Sequence, residues 1–126
     1  MSPDKEKYYI DPDKAPRFSP MEGVDSVVLT GLSGESMMMV LTTIQPGCEV
    51  PEHIHPHEQT GMVQAGKARM RIDGKEHVVE KGDVCVFPSN VPHGAKCVGE
   101  SPFVMLDIFC PVREDFIERI GKKDEA

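Results

Sequence analysis

From position 21 onward the chain alternates short runs rich in Val, Ile, Thr and Met with turn signals. Runs at 26–30, 36–44 and 61–64 are followed by the turn dipeptide Ala65-Gly66. A run at 67–72 leads into Asp73-Gly74, a strong hairpin signal because both residues tolerate positive φ. The chain returns at 76–79, turns through Lys81-Gly82-Asp83, and continues at 84–87 and 103–109. Short strands between closely spaced turns predict an all-β sandwich or barrel. The tail breaks the pattern: 113–120 can form a short helix after Pro111, with Phe116, Ile117 and Ile120 on one face. Before position 21, Pro3, Pro12, Pro16 and Pro20 among many charges predict a surface arm over 1–20, with Tyr8, Tyr9 and Ile10 as a short anchor strand. The barrel domain is expected over 21–126.

The 126 residues fit one domain, large enough to form a core without disulfide staples. The formal net charge of −7 argues against a broad nucleic-acid interface, which would be basic. An anionic ligand would therefore need a local cation inside a pocket. The polar start Met-Ser-Pro-Asp-Lys shows no secretory signal, and the apolar stretch at 37–41 is too short to span a bilayer. Cys48, Cys85, Cys97 and Cys110 lack Cys-x-x-Cys spacing. They read as free thiols of a cytoplasmic protein, acting as small buried hydrophobes.

Two segments carry candidate chemistry. Positions 47–66 contain His53 and His55, two apart, so that on an extended chain both imidazoles share a face and can reach one ion. Gln59 follows after a short loop and can offer a carbonyl oxygen. Positions 82–97 contain a bend flanked by Pro88 and Pro92, after which His93 opens the next strand. An antiparallel barrel can bring His93 beside the His53/His55 pair. His57, past the Pro56 bend, is expected outside the ligand set, as an exposed group or one supporting the ligands, and His77 is expected in solvent.

These two segments resemble the paired motifs of the cupin superfamily, Gly-x5-His-x-His-x3,4-Glu-x6-Gly and Gly-x5-Pro-x-Gly-x2-His-x3-Asn. Gln59 stands where the family usually has Glu, Asn90 replaces a motif Gly, and Cys97 replaces the last Asn. Asn also tolerates a left-handed backbone. The resemblance implies a jelly-roll (double-stranded β-helix) barrel that holds one divalent metal ion through His53, His55, Gln59 and His93. Zn, Ni, Fe, Mn and Cu are not distinguished. Three imidazoles and an amide are all neutral. They leave the ion's charge uncompensated, which favours Lewis-acid chemistry on an oxygen-rich, anionic small molecule.

The run 103–109 is apolar apart from Asp107, which by alternation shares a face with Phe103, Met105 and Phe109. A carboxylate there is either structurally paired, with Arg113 as the available partner, or a general acid or base facing the cavity. The His-Pro-His-Glu-Gln run and the Pro-x-Arg-Glu-Asp-Phe tail resemble KdgF-type pectin-degradation cupins, which convert unsaturated 4,5-uronates to a linear keto form. That resemblance implies that Asp107 handles the proton, Phe109 lines the sugar site and Arg113 binds the substrate carboxylate. The competing functions are an iron-dependent dioxygenase, another sugar isomerase, or a non-catalytic sensor of a small molecule. No membrane or nucleic-acid partner is expected. A homodimer through sheet packing is expected, with Met37 and Met39 suited to the interface and the Tyr8-Tyr9-Ile10 arm crossing between subunits.

Overall fold

The computed structural model describes residues 8–125, so positions 1–7 of the expected arm lie outside the described residues. Ten strands follow a short 3-10 turn at Pro12–Lys14: β1 Arg17–Met21, β2 Val24–Val28, β3 Met38–Ile44, β4 Glu49–His53, β5 Glu58–Ala65, β6 Lys67–Ile72, β7 Lys75–Glu80, β8 Val84–Phe87, β9 His93–Cys97 and β10 Phe103–Cys110. The helix α1, Glu114–Glu125, completes the chain. The strands form a six-stranded sheet, in order β1-β2-β3-β10-β5-β8, and a four-stranded sheet, in order β4-β9-β6-β7. Every pairing is antiparallel. From β3 to β10 the chain crosses between sheets at every connection except the β6–β7 hairpin. That hairpin closes through Asp73 and Gly74, both at positive φ, as the dipeptide predicts. The result is the expected all-β jelly roll with a C-terminal helix.

Alternation decides which side chains go inside. On β10, Phe103, Met105, Asp107 and Phe109 are buried, and the residues between them point outward. Ile44, Val63, Met70, Phe87, Phe103 and Met105 belong to one core cluster between the sheets. A second cluster joins Phe18, Val28, Met38, Val40, Phe109 and Ile120. Phe116 and Ile117 pack against it, so the expected apolar face of α1 docks on the barrel. Phe18 and Phe116 meet edge to face at 5.0 Å, and Arg119 donates from Nη2 to the Ser19 carbonyl at 2.9 Å. No helix among the described residues is long and apolar enough to cross a membrane.

The N-terminal expectation needs correction. Tyr8, Tyr9 and Ile10 form no strand, and both tyrosines are 72% exposed. Asp11 caps the 3-10 turn at once by accepting from the Asp13 amide, which ends any extended run. The sheet begins instead at Arg17, inside the segment expected to be an arm, where Phe18 supplies a buried anchor. Cys110 also departs from expectation. It continues the outward parity of β10 and is exposed, whereas Cys85 and Cys97 are buried and Cys48 is half-buried.

Two glycines of equal backbone handedness separate strain from crowding. Gly66, where the chain leaves one sheet for the other, and Gly74 have φ of 79° and 77°. A Cβ at Gly66 would press on the Pro102 carbonyl oxygen and lie 2.8 Å from Phe103 Cα, whereas at Gly74 it would meet open space. Gly74→Ala should cost about 1–2 kcal/mol, the strain of the left-handed conformation alone. Gly66→Ala should cost at least about 3 kcal/mol, because backbone must move as well. Urea unfolding of both variants measures the difference; equal costs would show that the Pro102 contact is relieved without penalty.

Candidate metal centre and active site

Pairing of β4 with β9 places His53 directly opposite His93, with ring centroids 4.4 Å apart. β4 ends at His53, so strand parity does not carry through to His55 as expected. Ile54 turns out to solvent, and the loop brings His55 inward, with its ring 5.6 Å from His53 and 4.8 Å from His93. One ligand nitrogen from each imidazole lies within 4.8 Å of the others.

Each ring is oriented by its own backbone. Nδ1 of His53 donates to the Pro51 carbonyl at 2.8 Å, that of His93 to Val91 at 2.9 Å, and that of His55 to His57 at 3.1 Å. A donating Nδ1 leaves the Nε2 lone pair free, the tautomer a metal ligand requires. His57 thus supports the cluster through its carbonyl, while His77 is exposed. Burial lowers the His93 pKa to about 4, and burial followed by the Arg113 charge lowers that of His55. Both rings are therefore neutral at pH 7.

Gln59 on β5 completes the group. Its Oε1 lies 3.1 Å from His55 Nε2, and its Nε2 donates to Asp107 Oδ1 at 3.0 Å. The donor set fits a divalent ion on two observations. His93 Nε2 is buried with no hydrogen-bond partner. The lone pairs of His55 Nε2 and Gln59 Oε1 also face each other, an arrangement that a shared cation relieves.

Asp107 is 4% exposed and points into the cavity, as alternation predicts. Thr42 Oγ1 donates to its Oδ2 at 2.8 Å. Burial raises its pKa to about 6, against the opposing pull of the Thr42 and Gln59 hydrogen bonds and the Arg113 charge. The structural alternative of an Asp107–Arg113 pair is not what forms. Arg113 instead donates to both oxygens of Asp115 at 3.0 and 2.8 Å, and lies over the rings of Phe116 at 4.1 Å and Phe109 at 5.1 Å. That hydrogen bond holds the Asp115 carboxyl below its ordinary range.

Arg113 and Phe109 line the same cavity as His53, His93, Gln59 and Asp107, a space of about 340 Å³ that is otherwise largely apolar. This size and lining suit a small ligand oriented by a few polar groups. Two residues here were missed from the sequence. Thr42 was legible, because it alternates with the buried Val40 and Ile44 on β3 and so faces inward. Gly61, opposite Asp107, interrupts a strand for a reason: a Cβ there would lie 2.6 Å from Asp107 Oδ1.

Comparison with known proteins agrees with this geometry. The cupin domain family model matches residues 40–109, which takes in all four candidate ligands and the whole cavity face of β10. The pectin degradation protein KdgF of Dickeya dadantii is 30% identical over 112 residues, covering 88% of this chain and 98% of that protein. Among solved structures, an RmlC-like cupin from Shewanella frigidimarina superposes with a TM-score of 0.78 at 28% identity, covering 86% of this chain and 95% of the other. KdgF from Halomonas sp. superposes with a TM-score of 0.76 at 23% identity, covering 86% and 96%, and shares the fold. A barrel of this topology, three converging imidazoles and a family match over more than half the chain lead to one conclusion: the protein belongs to the cupin family and resembles its KdgF-type members.

Proposed function

We propose that this chain binds one divalent metal ion through His53, His55, Gln59 and His93 and linearises unsaturated uronates. The observation that carries the reading is the placement of Asp107. A buried carboxylate is hydrogen-bonded to the amide beside the imidazoles and shares a small cavity with a largely sequestered guanidinium. The likeness to a pectin degradation protein supports the substrate class.

When bound, the ion supplies Lewis-acid polarisation of a substrate oxygen, strengthened by a ligand set without charge. The protein's own groups do the rest. Arg113, braced by Asp115 and two aromatic rings, attracts the sugar carboxylate at the cavity mouth. Phe109 presents a flat apolar wall to the ring. Asp107 takes the proton from the hemiacetal hydroxyl as the bond between the anomeric carbon and the ring oxygen breaks. The ring oxygen leaves as the oxygen of an enolate, and returning that same proton to the far carbon of the original double bond, the one that bears no ring oxygen, gives the keto form. Nothing is gained or lost overall, so the reaction is an isomerisation. A pKa raised toward neutrality suits a group that both accepts and donates at pH 7.

Association of two copies is also proposed, through the outer face of the six-stranded sheet. Leu41, Leu106, Met62 and Val84 lie in one register row across β3, β10, β5 and β8, and Met39, Ile108, Thr60 and Val86 in the next. Neither row contains a charge, so two chains of net charge −7 can meet there without placing like charges together. An uncharged apolar patch on an exposed sheet face is the kind of surface that protein association buries.

Three outcomes are expected. Purified protein should contain metal by elemental analysis, and His53→Ala, His55→Ala and His93→Ala should each lose it while keeping the strand-rich circular dichroism of the parent. Metal retained in all three variants would remove the centre.

At saturating metal, Asp107→Asn should lower turnover of an unsaturated uronate, followed by loss of its ultraviolet absorbance, by about 10²- to 10⁴-fold. Arg113→Ala should chiefly raise KM. Normal turnover in Asp107→Asn would sink the catalytic assignment, and oxygen-dependent turnover restricted to Fe or Cu would favour a dioxygenase instead.

Sedimentation at micromolar concentration should give twice the 13.9 kDa chain mass. The double variant Met62→Glu, Val86→Glu should give the single mass. A monomeric parent, or a dimeric variant, would exclude this face.

A further inference from the structure

We infer that Asp107 has a task separate from proton transfer: it positions the Gln59 amide so that its oxygen, and not its nitrogen, faces His55 of the imidazole cluster. This rests on the metal reading above and deepens it. An amide side chain is nearly symmetric in shape, but its two ends differ in chemistry. Only the oxygen can ligate a cation, since the NH₂ end is a donor. Nothing within Gln59 selects between the two orientations. The selection comes from the far end of the side chain.

There, Gln59 Nε2 donates to Asp107 Oδ1 at 3.0 Å. A carboxylate only accepts. The flipped amide would set Oε1 against Oδ1, and its N–H group, though able to donate to the His55 Nε2 lone pair, would leave no oxygen there to hold an ion. Asp107 is itself fixed. Thr42 Oγ1 donates to its other oxygen at 2.8 Å, and the bare Gly61 backbone opposite leaves room for the carboxylate. The chain of polarity therefore runs from Thr42 to Asp107 and from Gln59 to Asp107, leaving Oε1 3.1 Å from His55 Nε2.

This also gives a physical reason for Gln at position 59. A Glu would need no orienting, because its two oxygens are equivalent. It would, however, place a second carboxylate against Asp107 in a buried site, where like charges cannot both be ionised. Gln is the side chain of that shape that ligates at one end and donates at the other. Positions 59 and 107 are a matched pair.

The consequence is a coupling. Asp107 should matter to metal affinity through Gln59, beyond whatever its charge contributes through space. The test is a double-mutant cycle on the full chain, with Zn²⁺ affinity measured by calorimetry at pH 8 for the parent, Asp107→Ala, which removes the acceptor that an Asn would retain, Gln59→Ala and the double variant. In the parent background Asp107→Ala should weaken Zn²⁺ binding by about 10-fold or more, the usual size of a supporting partner's effect. In the Gln59→Ala background, where no amide remains to be turned, the loss should shrink to a few-fold, the through-space charge alone. An equal factor in both backgrounds, or no loss in the parent, overturns the inference. The underlying reading fails differently: Gln59→Ala binding Zn²⁺ as tightly as the parent would remove Gln59 from the ligand set, and a parent that binds no Zn²⁺ would remove the centre and this inference with it.

Discussion

The register of β10 between β3 and β5 is the constraint on which the rest of the structure depends. Pairing fixes Asp107 opposite Val40 on one side and Gly61 on the other, and Phe109 opposite Gln59. A slip of one residue would turn Leu106 and Ile108 into the cavity and Asp107 out to solvent. Both neighbours resist that slip, because Phe103, Met105 and Phe109 are buried on the same face as Asp107. Hydrophobic alternation thus pins a carboxylate where it would not go alone. The catalytic reading of Asp107 uses a position that core packing enforces.

Burial then sets the charge state of the centre. His55 and His93 are held neutral and Asp107 is pushed toward neutrality by the same cause, removal from water. Among the described residues the persistent cation in the cavity wall is Arg113, stabilised by Asp115 and two rings. Because Asp115 offsets the guanidinium charge, most of the positive potential offered to an anion would come from an ion held by the neutral ligand set proposed above. With that ion in place, a chain of net charge −7 would present a locally positive pocket.

Much of the fold was legible because its signals are local. Asp73-Gly74 closes its hairpin whatever surrounds it, and β6 and β8 have the bounds that alternation and flanking turns indicate. β1 was not legible. Its anchor, Phe18, stands among prolines, and its burial comes from Phe109 and Ile120, far along the chain. The convergence of His53, His55 and His93 was readable from spacing and motif, yet parity alone misplaced its cause, since a loop and not a strand turns His55 inward. Arg113 shows the same limit. Its sequence offers both Asp107 and Asp115 as partners, and in the fold it is Asp115, at the start of α1, that takes both of its hydrogen bonds.

The attachment of α1 has a consequence for how such a barrel can diverge. The candidate metal ligands come from β4, β5, β9 and the loop after β4, whereas the guanidinium comes from the connection between β10 and α1, with its aromatic support at the end of β10 and in the first turn of α1. The two parts of the cavity wall lie in separate stretches of chain, joined by docking of Phe116, Ile117 and Ile120. The tail is in effect an exchangeable cartridge. A lineage could replace the residues from 111 onward, and with them the guanidinium proposed above to bind an acid, while leaving every side chain of the imidazole cage where it stands.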